Sequence, residues 1–598
     1  MTFGYHDRIA RVDLTTGQVT YLALEERVLR QYLGGTGLAL RLLYDETGAE
    51  VDPLGPGNLL AFMVGPFAGT RVPTSDRFAV AGRSPLTGAW GESDCGGRWA
   101  GALKGAGLDG LLIGGAASSP VYLEVEDGQV QLRDASAYWG VDTYDLDLGG
   151  EMVCIGIAGE RLLPHAAIMT GRSAGRAAGR TGLGAVMGSK KLKAIVARGR
   201  ARAPLYDADG LAASVREAMP KIRENTKRMH DYGTGGGLET FERVGNLPIQ
   251  NWRKGSWPEG AAKISGPHMA ETILTGNYAC GGCPIACGRE VEVTSGPFAG
   301  VKGAGPEYET LGSFGSMCLI DDIEAIAKLN ELCNRYGLDT ISVGCTVAFA
   351  MEAQEKGLIE GGPTWGDGES AVRLVHEIAQ GSTALGRLMS QGVRRAAEAL
   401  GGRALEFAIH VKGMELPMHD PRAYSGMAVG YATSARGACH LQSLASFPSR
   451  GVGMPELGFG DPERTDDAVH GVINARYQDM MCLYDSLKLC KFTQFAKVNL
   501  TDIANWLQRV TGWDVTVDEL MQTGERISNL KRLYNARLGL SRKDDTLPPR
   551  ILTHRRGEGG TPDHLPHLGR LLADYYAFRG WDEEGIPTPA KLAELGLA

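Results

Sequence analysis

Three cysteines stand close together in NYACGGCPIACGRE, Cys280, Cys283 and Cys287, spaced C-x2-C-x3-C, and a fourth, Cys490, follows in DSLKLCKF. Thiolate sulfur is a soft donor that suits zinc or iron–sulfur clusters. Structural zinc usually takes its ligands as two close pairs, whereas a three-plus-one set is common for a cubane cluster. The spacing therefore favours a [4Fe-4S] cluster on these four residues, with zinc, or a solitary buried Cys490, as the alternatives. Cys490 lies roughly 200 residues beyond Cys287, so only the fold can join it to the others. A chain built round such a cluster moves electrons.

Three further stretches carry candidate chemistry. Gly171–Ile195 combines many glycines, which let a ligand approach the backbone, with Arg172, Arg176 and Arg180, whose forks suit phosphate or a ring carbonyl. Gly182, Gly184 and Gly188 give G-x-G-x3-G, which fits neither the dinucleotide fingerprint nor the Walker A loop, so an anion site and a Gly-rich interdomain turn both remain open. In GPEYET, Glu307 and Glu309 alternate as in a strand, which would place them on one face, and the plain reading is a solvated acidic pair. Asp339, in NRYGLDTIS, either accepts hydrogen bonds from a nitrogen-rich ligand or caps the next segment. HDPRAYSG, opening on His419, and YATSARGACHLQ, which holds His440 beside Cys439, form the third constellation; a lone His is more often a core residue than a catalyst. His564 and His567 read as surface residues.

The elements that must position these groups change character along the chain. Up to about residue 200, short β-type runs alternate with Gly and Pro. RIARVDLTTGQVTYLAL is a predicted hairpin turning at Thr16-Gly17, and Asp127-Gly128 is a second hairpin turn. From about Asp207 the apolar residues recur at i, i+3 and i+4, the helical period, and Gly337 stands where a helix C-cap belongs. The tail from about Lys543 is rich in Pro, His and Arg and is expected to wrap the surface. The reading is α+β: a β-rich N-terminal domain over 1–204 followed by two mainly helical domains, 205–411 and 412–598.

The 598 residues exceed a single core, and 84 glycines imply many tight turns. A net charge of −8 argues against a nucleic-acid partner. The N-terminus shows no secretory h-region, and the longest apolar stretch, near Leu59–Phe67, is too short to span a bilayer. The remaining seven cysteines lie singly, as reduced thiols do. A reduced, cytoplasmic, multidomain protein is expected.

Taken together, the segments resemble the aldehyde:ferredoxin oxidoreductase family of tungsten enzymes. The matching pieces are the cysteine hairpin, RAAGRTGLGAVMGSKKLKAI at 176–195, GPEYET, NRYGLDTIS, RGACHL, DSLKLC, SPLTGAW at 84–90 and GRWAGALKGAGLDGLLIGG at 97–115. The resemblance implies a β-rich base for a tungsten bis-pterin (tungstopterin, molybdenum being the other metal such ligands accept), with a [4Fe-4S] cluster beside one pterin, and it allows Mg2+ between the pterin phosphates. It would make Arg77 a bridge between pterin and cluster, Asp94 and Gly96 a pterin wall, and Arg176 and Ala177 a hold on the pterin or its phosphate. A family motif D-x-x-G-L-(C/D), one copy per pterin, corresponds to Asn334–Asp339 and Asp485–Cys490, with Asn334, Asp339, Asp485 and Leu489 as contacts. Asn334 departs from the motif's first Asp, and Lys488 from its Gly; a cation at 488 should raise the cluster's potential. Glu309, preferred over Glu307, is the implied base that activates water, and His440 the donor that polarises the carbonyl. The implied activity is oxidation of aldehydes to acids, with electrons passing to ferredoxin or a small iron–sulfur subunit, in a homodimer or hetero-oligomer. A related tungsten or molybdenum enzyme (an aromatic-ring reductase or 2-hydroxy acid oxidoreductase) and a non-catalytic iron–sulfur relay subunit are the competing readings.

Overall fold

The computed structural model describes residues 2–171 and 175–598. Its N-terminal third contains two six-stranded sheets. The first joins β1 (Ile9–Asp13), β2 (Gln18–Leu22), β3 (Leu60–Val64), β4 (Phe78–Arg83), β5 (Trp90–Cys95) and β6 (Gly110–Gly114) in the order β2-β1-β6-β3-β4-β5. The second joins β7 (Val121–Glu126), β8 (Gln129–Asp134), β9 (Glu151–Cys154), β10 (Ile168–Thr170), β11 (Arg176–Ala178) and β12 (Leu192–Arg198) in the order β11-β10-β9-β12-β7-β8. Only the β1–β6 and β7–β12 pairings are parallel. Both predicted hairpins form, the second turning through Asp127 and Gly128 at positive φ, the geometry that suits the twist of paired strands.

Alternation along β3 shows how the sheets pack. Leu60, Phe62 and Val64 join Phe78, Val80, Leu123 and Ile195 in a core between the two sheets. Ala61 and Met63 point the other way, into a core shared with Leu38 and Leu43 of the Gly35–Glu46 helix and with Leu483 and Leu487 far downstream. Side chains of period two thus bury both faces of this strand, which is why its sequence, LAFMV, is apolar throughout.

The rest is mainly helical. The Asp467–Leu487 helix packs against the helices Val517–Arg537 and Leu568–Arg579. The tail does not simply wrap the surface: Leu571, Tyr575 and Trp581 enter a core with Tyr431 and Ala475, and Arg579 is fully buried on Asp479 and the Ala475 carbonyl. The tail's buried charges, Asp545, Arg556 and Arg579, each find a partner of opposite charge. Among the described residues no helix is long and apolar enough to cross a membrane.

Candidate active site

A cavity of about 420 Å³ opens where the β4–β5 end of the first sheet, β11 and the helical body meet. Cys280, Cys283, Cys287, Cys490, Arg77, Asp94, Gly96, Arg176, Ala177, Glu309, Asn334, Asp339, His440, Asp485 and Leu489 all line it. The three-cysteine loop follows the strand Leu274–Tyr278 and is tied to the first sheet by the Gly281 N–H, which donates to the Gly97 carbonyl at 2.7 Å. Cys490 arrives from the end of the Asp467–Leu487 helix, its N–H donating to the Thr74 carbonyl at 3.0 Å. These four cysteines are partly accessible, whereas the other seven are buried.

The thiols are set up for a cation. Burial, then the neighbouring Cys490, pushes the Cys283 thiol up to about 11, and burial raises Cys287 further. A bound metal reverses this by stabilising the thiolates. Arg77 already leans that way: burial opposes its charge, but Cys490, Cys280 and Asp94 raise its pKa above the ordinary value. Gly96 is required here, since a Cβ would lie 2.7 Å from Cys280 Sγ and 3.1 Å from Arg77 Nη1. Among the described residues, the one set of three or more potential ligands with donor atoms within 4.8 Å of one another is Glu309, His419 and His440. No three of the cysteine sulfurs lie mutually that close, unlike the compact shell of tetrahedral zinc, whose ~2.3 Å bonds put sulfurs about 3.8 Å apart.

Arg176 and Arg180 divide in role. Arg176 Nη1 meets Glu307 Oε1 at 2.5 Å, Nη2 lies 3.7 Å from Cys287 Sγ, and its guanidinium stacks 4.8 Å from the Tyr278 ring, leaving Nε buried without a partner. Arg180 is not a free fork: it is buried on Asp339 at 3.3 Å and on the carbonyls of Ala438 at 2.7 Å and Glu415 at 2.6 Å, so it braces the wall. Arg172 lies outside the described residues. Asp339 does cap the next helix, Thr340–Glu355, accepting from the Ile341 and Ser342 N–H groups, while still facing the cavity. The Asn334 amide reaches the Tyr144 hydroxyl at 3.5 Å.

Lys488 differs from the expectation. It is buried, and its ammonium pairs with the Asp94 carboxylate. Burial opposes ionisation of Asp94, but Lys488 and Lys491 prevail and hold its pKa below the usual carboxylate range. The pair is neutral overall, so Lys488 brings no net positive charge to the neighbourhood of Cys490. Asp485 takes Lys491 at 3.0 Å, and burial pushes its own pKa up to about 6.

Glu307 and Glu309 do not share a face. Glu307 precedes the short helical turn Tyr308–Thr310, so the backbone rotates between them. Glu307 goes to Arg176 and to the Thr234 hydroxyl at 2.5 Å, while Glu309 faces two imidazoles. The Nε2 atoms of His419 and His440 each lie 3.4 Å from Glu309 Oε1, and the two rings are 5.2 Å apart. The Met418 N–H donates to Glu309 Oε2 at 2.9 Å, and the Asn246 amide meets His419 Nδ1 at 2.8 Å, which leaves the His419 Nε2 proton for the carboxyl. Burial pushes Glu309 up to about 7; it lowers His419 to about 3, helped by Arg450, and His440 well below its usual value, helped by His419. Near neutrality, two neutral imidazoles therefore flank a carboxyl poised to gain or lose a proton. His419 was legible only as part of a polar stretch, because nothing in its spacing from Glu309 or His440 announces the contact.

Two sheets beneath a helical body, with one cavity lined by thiols, arginines and a carboxyl–imidazole group, are the architecture of a known class of redox enzymes. The chain superposes with a TM-score of 0.85 on the active-site complex BamBC of benzoyl coenzyme A reductase in complex with 1,5-dienoyl-CoA, at 24% identity, covering 100% of this chain and 98% of that one. Residues 9–199 match the N-terminal domain, and residues 211–597 domains 2 and 3, of aldehyde ferredoxin oxidoreductase. Tungsten-containing aldehyde ferredoxin oxidoreductases of Pyrococcus furiosus and Thermococcus kodakarensis are each 38% identical, over 100% of this chain and 99% of theirs. An aliphatic sulfonate oxidoreductase, WOR-like subunit, of Pyrococcus furiosus is 30% identical over 100% of this chain and 97% of its own. The chain belongs to the aldehyde ferredoxin oxidoreductase family.

Proposed function

We propose that the protein oxidises aldehydes to carboxylic acids, taking the added oxygen from water and releasing two protons and two electrons per turnover. The observation that carries this is the Glu309 carboxyl held 3.4 Å from both His419 and His440 Nε2 in the same cavity as four accessible cysteines. The donor set fits the cofactors that the family resemblance implies: Cys280, Cys283, Cys287 and Cys490 would hold a [4Fe-4S] cluster, and Arg77, Asp94, Gly96, Arg176, Ala177, Asn334, Asp339, Asp485 and Leu489 would line a tungsten bis-pterin. Buried nitrogens without a protein partner, Arg176 Nε and Arg436 Nε, support a polar ligand at this wall. When bound, such a pair of cofactors supplies a two-electron acceptor beside a one-electron relay.

The chain's own groups handle the protons. Glu309, ionised in about half of the molecules near pH 7, accepts a proton from water. His440, neutral at that pH, donates its Nε2 hydrogen towards the carbonyl oxygen, while His419 Nε2 stands 3.4 Å from the same Glu309 Oε1. Burial serves both roles, because one desolvated environment raises an acid and lowers a base. Ferredoxin, or a small iron–sulfur protein, is the proposed electron acceptor.

The test is anaerobically purified protein, assayed for tungsten, molybdenum, iron and zinc, then offered aldehydes, aryl thioesters and 2-hydroxy acids with a viologen dye. About four irons, one tungsten and turnover of aldehydes alone are expected. Turnover confined to thioesters or hydroxy acids would overturn the substrate assignment, and iron without tungsten or molybdenum would favour the relay subunit.

A further inference from the structure

Arg450 stands apart from the other cations that line this cavity. Arg77, Arg176 and Arg436 face thiols, Arg180 pairs with Asp339 and Lys491 with Asp485. The Arg450 guanidinium instead lies over three aromatic rings, 4.6 Å from Phe241, 5.2 Å from Phe447 and 6.0 Å from Phe495. Among the described residues no carboxylate lies within 4 Å of it, and the groups that favour its charge are only the hydroxyls of Tyr424 and Tyr308. Burial lowers its pKa, yet a guanidinium stays charged in proteins. Stacking on aromatic faces offsets part of the lost hydration, but all its N–H donors are left over.

Its place in the cavity gives those donors a purpose. Arg450 lines both the active-site cavity and a neighbouring space of about 550 Å³, and Met229, Thr234, Phe241 and Phe495 are shared between the two. The charged residues lining that second space are Arg228 and Arg450, with no carboxylate among them. Phe241 links Arg450 to the reacting end, since its ring lies 5.7 Å from His419. The guanidinium and the His419 ring thus stand against the same phenyl ring, 4.6 Å and 5.7 Å from its centre, so an aromatic wall joins Arg450 to the Glu309–His419 pair.

We propose, building on the aldehyde reading, that Arg450 binds an anionic group at the far end of the substrate, so that the preferred substrates are aldehydes with an apolar body and a remote carboxylate. Arg228, the other cation of the second space, is exposed and donates to the Gly236 carbonyl, so the Arg450 guanidinium in its aromatic setting stands alone to balance one negative charge. A carboxylate meets that condition, whereas a phosphate dianion would leave a second charge buried without a partner.

The test compares matched pairs, 4-formylbenzoate against benzaldehyde and 6-oxohexanoate against hexanal, in the wild-type holoenzyme and in Arg450→Met and Arg450→Lys. The Met variant removes a half-buried charge that has no carboxylate partner and keeps an apolar stem against the three phenyl rings, so it is expected to fold with a melting temperature close to that of the wild type. In wild type the carboxylated member of each pair should have the higher kcat/KM. In Arg450→Met that preference should fall roughly 10- to 100-fold, the worth of a charge-assisted hydrogen bond, mainly through KM, with Lys between. An aldehyde carrying a remote phosphate ester, 4-formylphenyl phosphate, preferred over 4-formylbenzoate and benzaldehyde would move the assignment to phosphate. Equal preferences in wild type and variant would overturn the proposal. If no aldehyde is turned over, calorimetric titration with terephthalate and adipate decides separately: binding weakened in Arg450→Met keeps the anion site although the reaction assignment has failed, and unaltered binding removes it.

Discussion

Two helix ends, Asn334–Asp339 and Asp485–Cys490, use one backbone device for different ends. Each helix closes on a left-handed residue, Gly337 at φ 69° and Lys488 at φ 63°. In each, the next N–H reaches back five residues, Leu338 to Cys333 at 2.8 Å and Leu489 to Tyr484 at 3.0 Å, the closure of a Schellman motif. The residue after that turns into the cavity, Asp339 in one and Cys490 in the other. Surroundings explain why one end keeps glycine. At Gly337 a Cβ would lie 2.9 Å from the Gly156 nitrogen and 3.4 Å from the Ala167 carbonyl, so backbone fills the space. At Lys488 the neighbours are glycines: Gly35 and Gly65 leave a passage for its stem, and a Cβ on Gly65 would come to 3.2 Å from Lys488 Cγ. The motif fixes where the chain turns, and the neighbours fix which residue can make the turn.

The sharpest way to break this comparison is to exchange what the two ends deliver. Cys490→Ser should drop iron from about four per chain towards zero and abolish electron output. Asp339→Asn should keep the iron and the helix cap, since Asn caps as well as Asp, and instead lose about 2–4 kcal/mol of stability by breaking the buried ion pair with Arg180. Iron analysis with thermal melts separates the two; loss of iron in both would make the ends equivalent.

Glu309→Gln should retain the metals and lower kcat by about 10²- to 10⁴-fold. In the wild type, kcat should climb with pH up to about 7, where Glu309 ionises, and level off above, a slope the Gln variant lacks. Stability carries the opposite sign. The folded carboxyl keeps its proton to about 7, whereas an unfolded Glu loses it near roughly 4.3, so this group's contribution declines as pH rises between those values. Buried His419, depressed to about 3, acts in the other direction over an overlapping range, so the difference between wild type and Glu309→Gln is the quantity to measure.

Smaller effects sharpen the comparison. Lys488→Gly relieves about 1 kcal/mol of left-handed strain but leaves Asp94 buried without its main partner, and a net loss of about 2–3 kcal/mol is expected. A gain in melting temperature would falsify the role given to that pair. Gly337→Ala should cost about 1–2 kcal/mol through backbone strain, with iron content untouched.

Local sequence signals were enough for both hairpin turns and the cap at Gly337, because each rests on residues near one another in the chain, whereas Cys490 needed the fold to bring it to the cavity of Cys280, Cys283 and Cys287. Glu307 and Glu309 were misread as strand neighbours, since a three-residue helical turn has no period to detect. The tail was misread because its arginines look solvated until Asp479 and Asp420 are found waiting for Arg579 and Arg556. By itself the sequence determined which groups this protein owns: three cysteines set apart by spacing and a fourth far downstream, a carboxyl at 309, a histidine at 440 and a helix end at Gly337. Only the tertiary structure decided their states and companions. Placing His419 against Glu309, neutralising Lys488 on Asp94 and leaving Arg450 without a counter-charge all join residues far apart in the chain. Burial and electrostatics act through space, and no pattern of neighbours along the chain encodes them.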